Sequence, residues 1–368
     1  MKKPITFYIT SGICLLAIMT LHKWYQDKQN KNDLHRDYLL IQDFLLLDNT
    51  TLAKNSKPIL WIHIPYGYNS RNWSSFSSRS STDLNQPYLY LTTRSIINKC
   101  NDSFKICLID DNSFKKLIPN WDIDISKLSD PILSNIRQLG LMKLMYIYGG
   151  LICPISFICL KDLIDVYDEG TKHNKMFVCE NNAYDISSSN YTYSPDICLC
   201  GSDKNNEMVK RLINYIQHII STDSTANSVF SGDINTWCKK EIDHNNIHMI
   251  PGKYIGVKNV QNNPIRIEDL FSQTFFEIDK NAYGILLPEK DILKRQKYEW
   301  FCRLSAKQVM ESNTMIGKYL LLSNGNNVTI FNDKHNWVGF WKTPLINVYG
   351  TKPNFLGNNL LMSNSPNY

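Results

Sequence analysis

The sequence has no CxxC pair, no glycine-rich phosphate loop, no HExxH helix and no Ser-His-Asp grouping. Without the last three, hydrolase and nucleotidase chemistry has no residues to stand on. Ten cysteines are present, but the closest spacing is Cys198-Leu199-Cys200. Strand alternation puts that pair on one face, and the sequence offers no companion ligands for zinc. Cys107, Cys153, Cys159 and Cys179 sit in apolar runs, where a free thiol behaves as a small hydrophobe. Setting Cys14 aside leaves nine, an odd number for a fully paired secreted domain. Runs of Lys or Arg are also missing. The 40 basic and 34 acidic residues leave a diffuse +6, which excludes the footprint of a nucleic-acid binder. There is no internal repeat.

What is present is a globular composition, 43% hydrophobic and 20% charged, enough for a substantial core. Pro4 to Leu21 carries no charge and is flanked by Lys2-Lys3 and Lys23. Its eighteen residues are about the minimum for one membrane-spanning helix. No small-x-small cleavage site follows, so the segment reads as an uncleaved anchor. Lysines on both sides leave its orientation open. Five N-x-[ST] sequons, at Asn49, Asn72, Asn101, Asn190 and Asn327, do not decide it, because a chain this rich in Asn, Ser and Thr produces them by chance. The expected layout is an anchor at 1–22, a polar stalk at 23–56, a folded domain at 57–350 and a loose tail at 351–368.

The folded part is organised around DPILSNIRQLGLMKLMYIYGGLICPISFICL, residues 130–160. Asp130 is the expected N-cap, with Pro131 at the first helical position. Ile132, Ile136, Leu139, Met142 and Met145 form one apolar face, and Leu141, Leu144 and Tyr148 widen it. Gly149-Gly150 supplies the left-handed stop, and a buried strand then runs into Pro154-Ile155-Ser156. Upstream, Ile59–Ile64 and Phe104–Ile109 read as strands, Leu84–Lys99 as a helix and Ser113–Ile118 as a short amphipathic piece. This β-α-β-α-β order predicts an α/β fold whose mostly parallel sheet is flanked by helices. Downstream, Lys161–Tyr167 reads as a helix, Lys175–Cys179 as a strand and Asn181–Pro195 as a loop. Asp196–Cys200 reads as a strand and Glu207–Ile220 as a helix.

Ligands of such folds gather beyond the carboxyl ends of strands. The Tyr-, Trp- and Arg-bearing loop after Ile64 either lines a ligand site, with Arg71 and Arg79 meeting phosphates, or is a plain polar connection. Asp110-Asp111 reads equally as a contact to a base or ribose and as a strand-end turn. His63 reads as a buried, hydrogen-bonded side chain.

The order of these pieces resembles the glycosyltransferases with a DXD sugar-binding region, the mannosyltransferase and capsular-polysaccharide-synthesis group with a GT-A (nucleotide-diphospho-sugar transferase) fold. The resemblance covers roughly residues 57–345. It rests on the first strand, on Leu108-Ile109-Asp110-Asp111, on Tyr148-Gly149-Gly150, on the segment Ser194–Asn206, and on His335 with Trp341 six residues later. The family's Asp-x-Asp, which holds a divalent cation against the donor diphosphate, falls on Pro154-Ile155-Ser156. Its donor-contacting Asp and Arg fall on Gln138 and Leu141. Both carboxylates are gone, so no cofactor is expected and a Mn or Mg ion has no ligands there.

Three readings stand side by side. One is an active, metal-independent transferase in which Arg71, Arg79 or Lys143 clamps a nucleotide-sugar diphosphate. The second, favoured on residues, is a degenerate membrane-anchored relative that binds carbohydrate or a partner. The third is a structural membrane or envelope protein, viral or not, using the fold as scaffold. The substrate-binding candidates are Arg71, Arg79, Asp110, Asp111, Gln138, Ser156, His335 and Trp341, with nucleotide-sugar or glycan and the membrane as expected partners. His335 and Trp341 would close over a pyranose face, or else sit as a satisfied His beside core tryptophans.

Overall fold

The computed structural model describes residues 19–21, 57–65, 86–125, 128, 130–183, 192–222 and 233–325. The expected stalk and tail, Arg71, Arg79, His335 and Trp341 lie outside the described residues, as does all of the expected anchor except Met19–Leu21. Those three residues are helical and exposed. They belong to a unit made of 1–44 and 329–368, and the fold below belongs to the other unit, 45–328. No helix among the described residues is long and apolar enough to cross a membrane.

The first half alternates strand and helix: β1 (Ile59–His63), α1 (Pro87–Cys100), β2 (Lys105–Ile109), α2 (Ser113–Leu117), α3 (Ile132–Tyr148) and β3 (Gly150–Ile152). Then come β4 (Phe157–Cys159), α4 (Ile164–Gly170), β5 (Met176–Ala183), β6 (Thr192–Ser202), α5 (Glu207–Ser221) and α6 (Asp233–Asp243). The last elements are β7 (Ile247–Ile250), α7 (Ile267–Phe271), β8 (Gly284–Leu286), α8 (Glu289–Lys294), α9 (Ala306–Glu311) and α10 (Met315–Gly325).

Six strands form a sheet in the order β2-β1-β3-β6-β5-β7, and β4 pairs with β8 in a separate two-stranded ribbon. As expected, β1 runs parallel to β2 and β3; β5 also runs parallel to β7, a strand the sequence did not announce. β6 is antiparallel to both neighbours. Odd-numbered β1 residues Ile59 and Trp61 point into a core closed by α2, α3, α5 and α6, with Phe114, Leu139, Met142, Met145, Leu212 and Ile216. The even-numbered Leu60 and Ile62 are equally buried and face the opposite side. A strand buried on both faces explains the unbroken apolar run ILWI.

Several boundaries differ from expectation. Asp130 does not cap α3, because its carboxylate accepts the Ser134 hydroxyl at 2.5 Å, and the helix starts at Ile132. The helix at 161–167 begins later, at Ile164, whose N–H is taken by Asp162 Oδ1 two residues back. The 181–195 loop is partly hairpin: Asn181–Ala183 pair with Thr192–Ser194 through backbone hydrogen bonds that polar side chains do not disturb. The strand after Gly150 ends at Ile152, since Pro154 has no N–H for the ladder. The chain turns through 153–156 and leaves the sheet as β4, where Phe157 pairs with Leu286.

Gly149 and Gly150 set the joint between α3 and β3. Gly149 takes φ 71° and donates its N–H to Met145 O at 2.8 Å, closing the helix. Gly150 takes φ 109°, and a β-carbon there would stand 2.2 Å from the Ile59 carbonyl oxygen.

Candidate functional site

From β1 the chain crosses to β2 on one side, then returns past β1 to β3 on the other. The strand order therefore reverses between β1 and β3, and the crevice at their carboxyl ends is the topological switch point where such sheets bind ligands. Three stretches converge on that edge: His63 at the end of β1, Asp110-Asp111 after β2, and Cys153–Ser156 after β3.

Asp110 and Asp111 part ways. Asp110 turns onto the start of α2, its Oδ1 accepting the Ser113 N–H at 2.8 Å and the Ser113 hydroxyl at 2.6 Å, which is a strand-end turn. Asp111 points to the other residues of the edge. Its Oδ1 lies 2.9 Å from His63 Nε2 and 3.0 Å from Arg137 Nε, and its Oδ2 lies 2.7 Å from Arg137 Nη2. The His63 ring is stacked on Phe114, with centroids 5.3 Å apart. These side chains are 9% (His63), 19% (Asp111) and 17% (Arg137) exposed, so the cluster is shielded yet open at its rim. Burial alone would raise the Asp111 carboxyl, but the hydrogen bonds from His63 and Arg137 outweigh it and hold it below the usual carboxylate range.

Gln138 is half-buried on α3, one residue from Arg137, and a step of about 100° separates the two directions. It is Arg137, not Gln138, that α3 brings to Asp111. Lys143 stands over the Trp121 ring, 5.5 Å from its centroid. Ser156 is 3% exposed, and its hydroxyl lies near the Glu289 carboxylate at the start of α8. Ile155 is buried, and its carbonyl accepts the Thr92 hydroxyl of α1. Glu289 Oε2 is buried with no hydrogen-bond partner among the described residues. Burial raises the Glu289 carboxyl, with Lys290 and the Ser156 hydroxyl pulling the other way.

On the far half of the sheet, Glu180 receives Lys258 Nζ at 2.5 Å and the Gly252 N–H at 2.8 Å. Beside it, Asp196 accepts the Asn181 side-chain amide and the Cys198 N–H, both at 2.8 Å. Among the described residues no group of three or more His, Cys, Asp or Glu is placed to hold a metal ion. All nine described cysteines are free thiols, and eight of them are buried.

Arg137, Glu289 and the Glu180–Lys258 pair were not among the sequence candidates. Arg137 had a signal: with Lys143 it is one of two charges on an otherwise uncharged helix. Glu289 and Lys258 had none, because β8 and the 252–258 turn reach the edge only through long-range pairing.

No family model matches the sequence, and no curated protein matches it. Among solved structures, the chain is similar to the apo-form glycosyltransferase GlyE of Streptococcus pneumoniae TIGR4, at 12% identity and a TM-score of 0.32. That likeness covers 54% of this chain and 46% of GlyE, so the match spans less than half of the neighbour's length. It is a weak structural similarity to a glycosyltransferase.

Proposed function

We propose that this chain is a glycosyltransferase-like protein of GT-A type, tethered by its residues 1–22, that has lost the metal-dependent donor site and binds a glycan or a partner. The observation that carries this reading is the state of the switch-point carboxylate. Both oxygens of Asp111 are occupied by Arg137 and His63, while the turn after β3 offers Pro154, Ile155 and Ser156 in place of carboxylates. A divalent ion bridging a diphosphate needs hard, anionic oxygen ligands, and no side chain of that turn supplies a carboxylate. The reading therefore uses no metal and no other cofactor.

The test is binding of UDP- and GDP-sugars and of a glycan array to the full-length chain in detergent, with manganese or with EDTA. Glycan binding that is equal in both conditions, with no sugar released from either nucleotide, is the expected result. Manganese-dependent transfer or hydrolysis of a nucleotide-sugar overturns the reading.

A further inference from the structure

The β5–β6 hairpin carries a feature that the glycan reading does not use. Val178 pairs with Cys200, but the next residue, Cys179, pairs with Asp196, so Ile197, Cys198 and Leu199 bulge out of β6. Asp196 pins this bulge. Its Oδ1 accepts the Cys198 N–H, its Oδ2 accepts the Asn181 amide, and its backbone carbonyl lies 3.3 Å from Cys179 Sγ. Held this way, Cys198 Sγ lies 3.6 Å from Cys179 Sγ, two sulfurs in van der Waals contact on adjacent strands. Cys198 is the one described cysteine that is not buried. The pair therefore has a half-buried member, which a reagent meets first, and a fully buried member beside it.

We propose that Cys179 and Cys198 are an oxidisable dithiol, which a small-molecule disulfide closes into an intrachain bridge across the β5–β6 bulge. The Cys198 thiolate attacks one sulfur of the reagent, forming a mixed disulfide and expelling one thiolate. The Cys179 thiolate then attacks the Cys198 sulfur and expels the second. Two electrons pass from the protein to the reagent, and the two protons lost by the cysteines end on the two released thiols. Closing the contact to a bond of about 2.05 Å takes the sulfurs about 1.5 Å closer, a movement a bulge absorbs more readily than a regular ladder. The Cys198 thiol is pushed up by its contact with Cys179 and by burial, so the first attack is slow at neutral pH and quickens with alkali. A second pair, Cys100 and Cys159, has its sulfurs 3.9 Å apart but both residues fully buried, so it stays reduced under the same reagent.

The experiment uses the full-length reduced protein equilibrated with oxidised glutathione, alkylated, digested without reductant and mapped by mass spectrometry. The expected product is one linked pair of peptides carrying Cys179 and Cys198, with Cys100 and Cys159 recovered alkylated. In Cys179→Ser the reaction stops at Cys198 bearing one glutathione. Recovery of both Cys179 and Cys198 as alkylated thiols overturns the proposal, and so does linkage of Cys198 to any other cysteine. A Cys179→Ser protein whose Cys198 carries no glutathione overturns the assigned order of attack.

Discussion

Asp111 is held by two partners of different kinds, and they contribute unequally. Arg137 forks onto both carboxylate oxygens, and His63 adds one bond to Oδ1. Removing the guanidinium leaves a shielded carboxylate with one partner. That situation lies between an exposed pair, worth under about 1 kcal/mol, and a buried one, where loss of a partner costs about 3–5 kcal/mol. Arg137→Ala is therefore expected to lose about 2 kcal/mol in urea denaturation, and Arg137→Lys to recover only part of it, since an ammonium cannot fork. A loss under about 0.5 kcal/mol would mean that the cluster is open to solvent. His63 was legible in the sequence as a hydrogen-bonded strand residue, whereas Asp110 read equally as a ligand contact and as a turn, and nothing local chose between them. Arg137 was not, because aligning α3 by its resemblance put the contact at Gln138, and one residue of helical phase redirects a side chain by about 100°. Arg71, Arg79, His335 and Trp341 lie outside the described residues.

Among the elements, the α3–β3 joint leaves least room for change. At Gly150 the backbone has φ 109°, and a side chain would meet the Ile59 carbonyl of the neighbouring strand. Gly150→Ala must either shift β3 away from β1 or abandon that φ. A loss on the order of 3 kcal/mol is expected, read by thermal or urea unfolding. At Gly140, by contrast, an added methyl meets the buried Phe114 ring at 2.8 Å rather than a backbone carbonyl at 2.2 Å, and φ is not strained, so Gly140→Ala is expected to cost less than Gly150→Ala. The reverse order would show that the β1–β3 pairing is looser than its register implies. The Gly-Gly stop and the parallel β1–β2–β3 half were legible because helical and strand periodicities change at a local signal. The sheet switch after Pro154 was not. The partner of Phe157 is Leu286, far along the chain, and no local pattern announces a pairing of that kind. The hairpin arms of β5 and β6 escaped for a different reason: Asn, Thr and Ser there look like loop residues, and only backbone pairing makes them strand.

On the scale of the whole molecule, the displaced carboxyls and thiols shape stability against pH in three separate windows. The Asp111 carboxyl is lowered on folding, so its contribution is complete above the unfolded value of about 3.9 and is lost as pH falls through the folded one. Glu289 has the opposite sign. Its carboxyl is raised, so the folded state holds the proton more tightly, and stability present below about 4.3 is lost as pH rises through the folded value. Burial pushes the Cys107 and Cys238 thiols up to about 12, which adds a third loss above the unfolded thiol value of about 8.5. Among the described residues with a displaced carboxyl or thiol, Glu289 is the one that acts between the outer two windows, so it can be isolated. Glu289→Gln keeps the shape of the side chain and removes the charge. The reduced variant is expected to match the wild-type thermal midpoint near pH 4 and to exceed it at pH 7. The gain is roughly 1.4 kcal/mol for every tenfold by which folding tightens the carboxyl's hold on its proton. Asp111→Asn should do the reverse, losing stability at pH 7 and approaching the wild type at the most acidic pH where both remain folded. If Glu289→Gln differs from the wild type by the same amount at pH 4 and pH 7, folding does not change the carboxyl's hold on its proton. The carboxylate beside Ser156 would then be as well accommodated in the folded protein as in water, despite its burial.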